Sequence, residues 1–200
     1  PIAHGAYCTG EMAGGQTGII WSGSLYGHQS VSRLVDCRDY KTSDYQTRRL
    51  IMAGLYFEEF TIGQTVKTAG RTISEDAIFS FAGLTGDYNQ IHTDAAFASK
   101  TQFGQRIAHG LLGMSISVGL IMQTGLLEGT VLAFREINEW KFVKPFLIGD
   151  TVHAVLSIAE MKALPRIGGG SLIAHVEVRN QNDEICQRGS LNLLVLSKPK

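Results

Sequence analysis

The chain of 200 residues is 44% hydrophobic and carries 18 basic and 18 acidic side chains. That length fits one domain with room for a tail, and the even charge balance leaves no basic excess to hold a nucleic acid backbone. Nucleic acid is therefore not expected as a partner. The hydrophobic content is sufficient for a folded core.

Cysteine usage and sorting signals bear on the compartment. Cys8, Cys37 and Cys186 are widely separated and show no metal-ligand spacing, which is typical of a reducing environment. No basic stretch leads into an apolar run near the start, and no uninterrupted apolar segment reaches about 18 residues. We therefore expect a cytoplasmic protein with no membrane partner.

Residues 1–51 differ in character from the rest of the chain. They scatter glycines and show neither helical nor alternating periodicity over a useful length. Met52, in contrast, opens the segment MAGLYFEEFTIGQ, which is typical of the start of a compact domain. We predict an irregular or non-native extension over 1–51, such as a tag, an upstream translation or a loosely docked tail, and a domain over 52–200. A genuine element around Ile19 to Trp21 is the alternative.

Two helices are predicted in the first part of this domain. Ser74 is a good N-cap for a helix over Glu75 to Leu84, because its hydroxyl can accept from an amide of the first turn. This helix follows a strand predicted over Val66 to Ile73. Asp94 is the predicted cap of a short second helix that contains Ala95 to Phe97.

The stretch IAHGLLGMSISVGLIMQTGLL, residues 107–127, is apolar on nearly every side. A helix without a polar face must be covered by protein on most sides or lie in lipid. Its glycines and serines, and a length near the lower limit for a membrane span, favour burial. This stretch therefore predicts a central helix.

Strand patterns occupy the sequence after Gly129. Partly alternating apolar residues are separated by turn signals such as Gly149-Asp150 and Asn182-Asp183. The predicted strands are Thr130 to Val143, Thr151 to Lys162, Ser171 to Asn180 and Ile185 to Leu196. Successive strands joined by tight turns predict an antiparallel meander. With the central helix on one face of a curved sheet, the architecture is α+β.

The segment GDYNQIH, residues 86–92, carries candidate chemistry. A carboxylate at Asp87 and an imidazole at His92, five residues apart across a turn, can face one cleft and work as acid and base. By itself the pattern is weak, since polar turns often contain such residues. Asn89 between them is typical of a residue that closes a turn with its side chain.

A second candidate is Ala108-His109-Gly110 at the start of the central helix. A glycine in the first turn offers a free N–H where the peptide dipoles favour negative charge, so it can receive an oxyanion. Close packing is the alternative reason for a glycine here. We interpret His109 as shaping the loop rather than as a second base.

From Met52 to about Leu196 the sequence resembles the MaoC-like hydratases, a hot-dog-fold family that includes the (R)-specific enoyl-CoA hydratases. Four segments carry the resemblance: FEEFTIGQ, GDYNQIHTDAAFA at 86–98, RIAHGLL at 106–112 and KFVKPFLIGDTV at 141–152. Together, in the same order, they are far more specific than any one alone. The resemblance implies a hot-dog fold, in which a curved antiparallel sheet wraps around a long central helix.

The resemblance also implies roles for the site residues. Asp87 and His92 would hold the catalytic water, and Asn89 would brace their loop. The Gly110 N–H would bind the thioester carbonyl oxygen as enolate charge develops, with His109 as support. Which of Asp87 and His92 is the base and which the acid stays open.

The implied reaction is reversible hydration of trans-2-enoyl-CoA to (R)-3-hydroxyacyl-CoA. An acyl-CoA is then the substrate, and neither a metal nor a redox cofactor is expected, because the bound thioester itself stabilises the developing charge. Lys100 and Arg106 can meet phosphates of coenzyme A, and solvated surface charge is the alternative for both. A curved sheet leaves a face and an edge uncovered, so we expect a homodimer or a larger homo-oligomer.

The sequence departs from the family motif at two positions, and two other functions remain as alternatives. Gln90 stands where the family motif usually has proline, and Val118 stands where some (R)-specific hydratases have a serine of the site network. Both leave the acyl specificity open. A hot-dog thioesterase would commonly carry its carboxylate on the central helix, yet residues 111–127 contain no Asp or Glu. A non-catalytic acyl-CoA-binding or regulatory module is the second rival.

Overall fold

A computed structural model describes residues 9–12, 16–19 and 54–199 of the chain. Contacts between residues divide the chain into two units, Pro1–Leu50 and Ile51–Lys200.

The first unit contains a short antiparallel hairpin. Strand β1 (Thr9–Met12) pairs with strand β2 (Gln16–Ile19). This is a regular element within the stretch predicted to be irregular. Residues 20 and 21 of the alternative element lie outside the described residues, and the assignment of 1–51 to an extension stays a prediction.

After a 3-10 turn at Phe57–Glu59, the second unit has two short strands where one was predicted. Strands β3 (Thr65–Lys67) and β4 (Arg71–Thr72) are separated at Thr68. The Thr68 hydroxyl accepts from the Ala154 N–H at 2.9 Å, while the Thr68 N–H donates to the Ala154 carbonyl oxygen at 2.9 Å. A side chain thus takes the place of a backbone acceptor in the ladder, which interrupts the strand.

Four helices follow in chain order. They are α1 (Glu75–Thr85), α2 (Gln90–Thr93), α3 (Ala95–Ala98) and α4 (Gly110–Gln123). Both predicted caps are confirmed, because the Ser74 hydroxyl accepts from the Ala77 N–H at 3.1 Å and the Asp94 carboxylate accepts from the Phe97 N–H at 3.0 Å. Helix α2 was not predicted from the sequence. In the part of the chain that is described, no helix has the length and apolarity needed to cross a membrane.

The long strands form one antiparallel sheet. They are β5 (Val131–Phe142), β6 (Thr151–Leu164), β7 (Gly169–Arg179) and β8 (Ile185–Leu196). The strand order is β3-β6-β7-β8-β5, and β4 also pairs with β6. The four strands predicted after Gly129 are confirmed, with ends that differ by at most two residues. The predicted meander holds for β6, β7 and β8 only, because β5 pairs with β8 and not with the strand that follows it in sequence.

Helix α4 packs against the inner face of this sheet. Along β6, residues from Val152 to Ile158 alternate between buried and half-buried, which is the pattern of a strand with one face in the core. Ile116 and Leu120 of α4 are buried in the same core, whereas Leu111 is 58% exposed. The predicted α+β architecture with a central helix is confirmed, although one stripe of α4 is open in the single chain.

Candidate active site

A left-handed glycine turns the chain from α1 into the loop that carries Asp87. Gly86 has φ of 79° and its N–H closes the helix on the Ala82 carbonyl, a common end for an α-helix. The Asp87 carboxylate then accepts from the Asn89 N–H at 3.2 Å. Asn89 in turn accepts from the Ile91 N–H at 3.2 Å and so caps α2. This cap braces the short helix that carries His92.

The His92 ring is oriented by a backbone carbonyl. Nδ1 lies 2.8 Å from the Ile107 carbonyl oxygen. Because a carbonyl can only accept, Nδ1 carries the proton, and Nε2 of the neutral ring keeps a free lone pair. Partial burial lowers the pKa of His92; the bond to Ile107 and the nearby Asp87 oppose this effect, and His109 adds to it. The environment thus favours a neutral imidazole with an available base at Nε2.

His109 ties the helix start to the same loop. It is the buried N-cap residue of α4, and its ring lies against that of His92 with centroids 3.9 Å apart. Its Nε2 donates to the Asp87 carbonyl oxygen at 2.9 Å. His92 therefore donates to the carbonyl of Ile107, just before His109 in the chain, and His109 donates to the carbonyl of Asp87, in the loop that leads to His92. We call this pair of bonds the histidine clasp.

The same three side chains could in principle hold a metal ion. One ligand atom from each of Asp87, His92 and His109 lies within 4.8 Å of the others. Carboxylate and imidazole are common zinc ligands. His92 Nδ1 and His109 Nε2 donate to backbone carbonyls, which leaves His92 Nε2 and His109 Nδ1 as the ring nitrogens with a free lone pair. That no metal takes part stays a prediction.

Gly110 starts α4 beside a largely apolar cleft. The cleft has a volume of about 650 Å³, and His92, Phe103, Gly110, Leu111, Phe142 and Phe146 are in its wall. No acceptor among residues 54–199 takes the Gly110 N–H. A helix N-terminus that opens on an apolar cleft can bind negative charge.

Close packing also requires a glycine at this position. A Cβ on Gly110 would lie 2.8 Å from Cδ1 and Cε1 of Phe142, closer than carbon atoms approach. The packing alternative stated from the sequence therefore applies, and it is compatible with a role for the N–H. The two explanations predict different effects for variants that keep or remove this N–H.

The charged residues considered for coenzyme A lie outside the cleft wall. The Arg106 guanidinium bonds to the Glu75 carboxylate at 2.5 Å and lies over the Phe79 ring at 5.7 Å from its centroid. Its positive charge is therefore already paired. Lys100 is exposed in the turn after α3. Contact of either residue with coenzyme A stays a prediction.

One residue of the cleft wall is absent from those singled out in the sequence. Gln187 on β8 is 1% exposed and contacts the first turn of α4. The only sequence signal is a polar residue at an inward position of a strand. That signal becomes informative only when the facing residues are known.

Residues 58–178 match a family model described as "MaoC like domain". The uncharacterized protein YdeM of Bacillus subtilis is 32% identical over 138 residues, which are 69% of this chain and 96% of that protein. An (R)-specific enoyl-CoA hydratase of Rhodospirillum rubrum is 38% identical over 104 residues, which are 52% of this chain and 69% of that protein.

The match to a longer relative is partial. Protein MaoC of Klebsiella aerogenes is 34% identical over 102 residues, which are 51% of this chain but only 30% of that protein. This chain therefore corresponds to less than a third of that relative.

Solved structures share the fold. The X-ray structure of a monoamine oxidase regulatory protein from Archaeoglobus has a TM-score of 0.68 and 35% identity, over 73% of this chain and 97% of that chain. A Mycobacterium tuberculosis protein described as having a double hotdog fold has a TM-score of 0.64 and 18% identity, over 74% of this chain and 46% of that chain. The hot-dog fold predicted from the sequence is confirmed.

Proposed function

The chain belongs to the MaoC-like dehydratase family, and we propose that it is a hydro-lyase that reversibly hydrates trans-2-enoyl-CoA to (R)-3-hydroxyacyl-CoA. One observation carries the proposal: the side chains of Asp87 and His92 come within 4.8 Å of each other, and His92 shares the wall of the apolar cleft with Gly110, whose N–H has no acceptor among residues 54–199. These are the groups that water addition to an unsaturated thioester requires.

Asp87 and His92 hold the attacking water in this proposal. With its proton on Nδ1, His92 accepts a hydrogen bond from one O–H of the water through Nε2. The Asp87 carboxylate accepts a hydrogen bond from the other O–H. A water that donates to two acceptors directs an oxygen lone pair at the substrate. Transfer of one proton to either acceptor makes it a stronger nucleophile.

The Gly110 N–H then stabilises the charge that the attack creates. As the water oxygen bonds to C3, the C2–C3 π pair moves to the C1–C2 bond and the carbonyl pair moves onto oxygen. The resulting enolate oxygen accepts from the Gly110 N–H, where the helix dipole also favours negative charge.

Return of a proton completes the addition. The enolate reforms the thioester carbonyl as C2 takes up the proton that Asp87 or His92 removed from water. Atoms and charge balance without a redox partner, and the thioester makes an added Lewis acid unnecessary. The apolar wall of the cleft suits an acyl chain, and the same groups run in reverse dehydrate the 3-hydroxyacyl thioester.

The test is loss of enoyl-thioester absorbance with crotonyl-CoA and longer analogues, with chiral analysis of the product. The wild type is expected to form the (R) product. Asp87→Asn and His92→Ala are each expected to lose at least about a hundredfold in kcat/KM, as for a missing acid or base. Asp76→Asn and His175→Ala are matched controls, because both residues are exposed and lie outside the cleft wall.

Each alternative has its own signature. Release of free thiol from acyl-CoA would favour a thioesterase, although the central helix has no carboxylate to serve it. Saturable acyl-CoA binding without turnover would favour a binding module. Full activity in both Asp87→Asn and His92→Ala would refute the assigned site.

A further inference from the structure

We propose that Gln187 is a positioning residue for the oxyanion site. Its side-chain Nε2 donates to the Gly110 carbonyl oxygen at 2.9 Å, and its Oε1 accepts from the Trp140 indole at 3.2 Å. The inference rests on the proposed function. In this proposal a residue on strand β8, distant from Gly110 in sequence, sets the direction of the Gly110 N–H.

The orientation of the Gln187 amide is fixed by its neighbours. An indole N–H can only donate, so the atom that faces Trp140 must be the amide oxygen. The amide nitrogen then faces Gly110, whose carbonyl can only accept. Neither bond can form with the amide flipped. Trp140 thus selects the one orientation in which Gln187 holds the helix start.

The backbone of β5 is distorted where Trp140 leaves it. Asn138 pairs with Ser190 and Lys141 pairs with Arg188, so residues 139 and 140 together oppose Gly189 alone. Such a bulge redirects a side chain. Glu139 has φ of 52°, a conformation that is unfavourable for a residue with a side chain. Strain of this kind is retained when surrounding contacts require it.

Glycines make room for each contact of this arrangement. A Cβ on Gly189 would lie 2.6 Å from the Trp140 ring, and a Cβ on Gly113 would lie 2.7 Å from Nε2 of Gln187. The indole, the amide and α4 therefore approach more closely than larger residues would permit. This close packing leaves Gln187 little freedom to move.

Gln187 acts through the first turn of α4. The N–H that would bind the enolate and the carbonyl that Gln187 holds belong to the same residue, Gly110. A donor that anchors this carbonyl holds the peptide plane that follows Gly110 and so limits the backbone rotation at Gly110 that would redirect its N–H. The N–H is then aimed before the charge appears, which is how a preorganised donor lowers a barrier. Loss of the anchor should act on the transition state more than on substrate binding.

The test is steady-state kinetics of enoyl-CoA hydration by the full chain, together with thermal unfolding. Gln187→Met keeps the volume but cannot donate, and is expected to lower kcat by about tenfold to a hundredfold with KM changed by less than about threefold. Trp140→Phe should lower kcat in the wild type but add little in the Gln187→Met background, because both residues serve one contact.

A conservative variant separates positioning from stability. In Gln187→Glu the new carboxyl can donate to the Gly110 carbonyl only when protonated, so its kcat relative to wild type should rise as the pH falls. Ser171→Ala is the matched control, because it removes another buried side-chain bond, 2.7 Å long, to Asn192. This control should lower the melting temperature and leave kcat unchanged.

The outcomes are distinguishable. Unchanged kcat in Gln187→Met with an active wild type would overturn the positioning role alone, even if the melting temperature falls. The same holds if Trp140→Phe and Gln187→Met have independent, additive effects on kcat. A wild type that hydrates no enoyl thioester would overturn the proposed function, and this inference with it.

Discussion

Among single side chains, His92 ties the activity to pH. Burial lowers its pKa from the ordinary value of 6.5, so the neutral ring that accepts from water persists below that pH. As the pH falls through the lowered pKa, Nε2 gains a proton and loses its acceptor. We expect kcat/KM to fall by about tenfold per pH unit below a pKa under the ordinary histidine value.

A pH profile at constant ionic strength measures this limb. Circular dichroism at each pH confirms that the chain is folded, and the residual rate of His92→Ala should lack the His92 limb. A limb centred above the ordinary histidine value would contradict the assignment of a neutral His92 as acceptor.

A matched pair of variants at Gly110 separates its packing role from its N–H. Gly110 is the first residue of α4, where proline is well tolerated, and the preceding residue His109 has ψ of 135°, as a residue before proline prefers. Removing the Phe142 ring by Phe142→Ala relieves the close approach in both variants. Gly110→Ala then keeps the N–H and Gly110→Pro removes it.

In the Phe142→Ala background, Gly110→Pro is expected to have a kcat about a hundredfold or more below that of Gly110→Ala. The physical reason is loss of one donor to the enolate oxygen. Single-turnover rates with crotonyl-CoA measure the difference directly. Equal rates in the two double variants would leave Gly110 with a packing role only.

Within the short helix α2, the departure from the family motif can be tested by stability. Gln90 is the first residue of α2, and no acceptor among the described residues takes its N–H. Asn89 before it has φ of −53° and ψ of 133°, which suits a residue before proline. We expect Gln90→Pro to stabilise the fold by about 0.4 to 1 kcal/mol, because it restricts the unfolded chain.

Urea denaturation measures this change, and kcat should stay close to the wild-type value. The neighbouring Ile91→Pro is the contrasting variant. It removes the N–H that bonds to Asn89, so it should destabilise the fold. Destabilisation by Gln90→Pro would mean that the loop needs freedom at position 90.

Elements with local signals were predictable from the sequence, and those with distant partners were not. Ser74 and Asp94 cap helices through bonds to residues three positions away, so sequence spacing reveals them. The interruption of the strand at Thr68 depends on Ala154, 86 residues away, which no local pattern shows.

The same distinction holds for the candidate site. Asp87 and His92 lie in one motif and were predicted together, although their roles remain proposals. Gln187 reaches Gly110 across 77 residues of sequence, and Trp140 reaches Gln187 across a strand bulge. Helix α2 has only four residues, too few for periodicity to distinguish it from a polar turn.

At the scale of the whole domain, strand β5 is an open edge of the sheet. It ends the strand order of the sheet, and Leu132, Phe134 and Ile137 are 45%, 40% and 45% exposed. An uncovered edge with apolar side chains favours pairing. We propose a homodimer through β5.

Ile137→Lys should shift the chain from dimer to monomer, because a charge on an edge strand opposes pairing. Light scattering after size-exclusion chromatography measures the mass, with enoyl-CoA hydration assayed on the same fractions. Ile62→Lys is the control, since Ile62 is 67% exposed and precedes β3 at the other side of the sheet. A dimer that survives Ile137→Lys, or a wild-type monomer, would contradict pairing through β5.

The histidine clasp has a consequence for how the domain opens. His92 holds the carbonyl of Ile107, and His109 holds that of Asp87, so the loop and the start of α4 cannot separate without breaking both bonds. Loops at functional sites are usually among the first parts of a protein to unfold locally. Here the loop is bonded to a helix whose inner face, with Leu112, Ile116 and Leu120, is in the core, so its opening is coupled to that of the core. Warming should therefore not release this loop well before the domain itself melts.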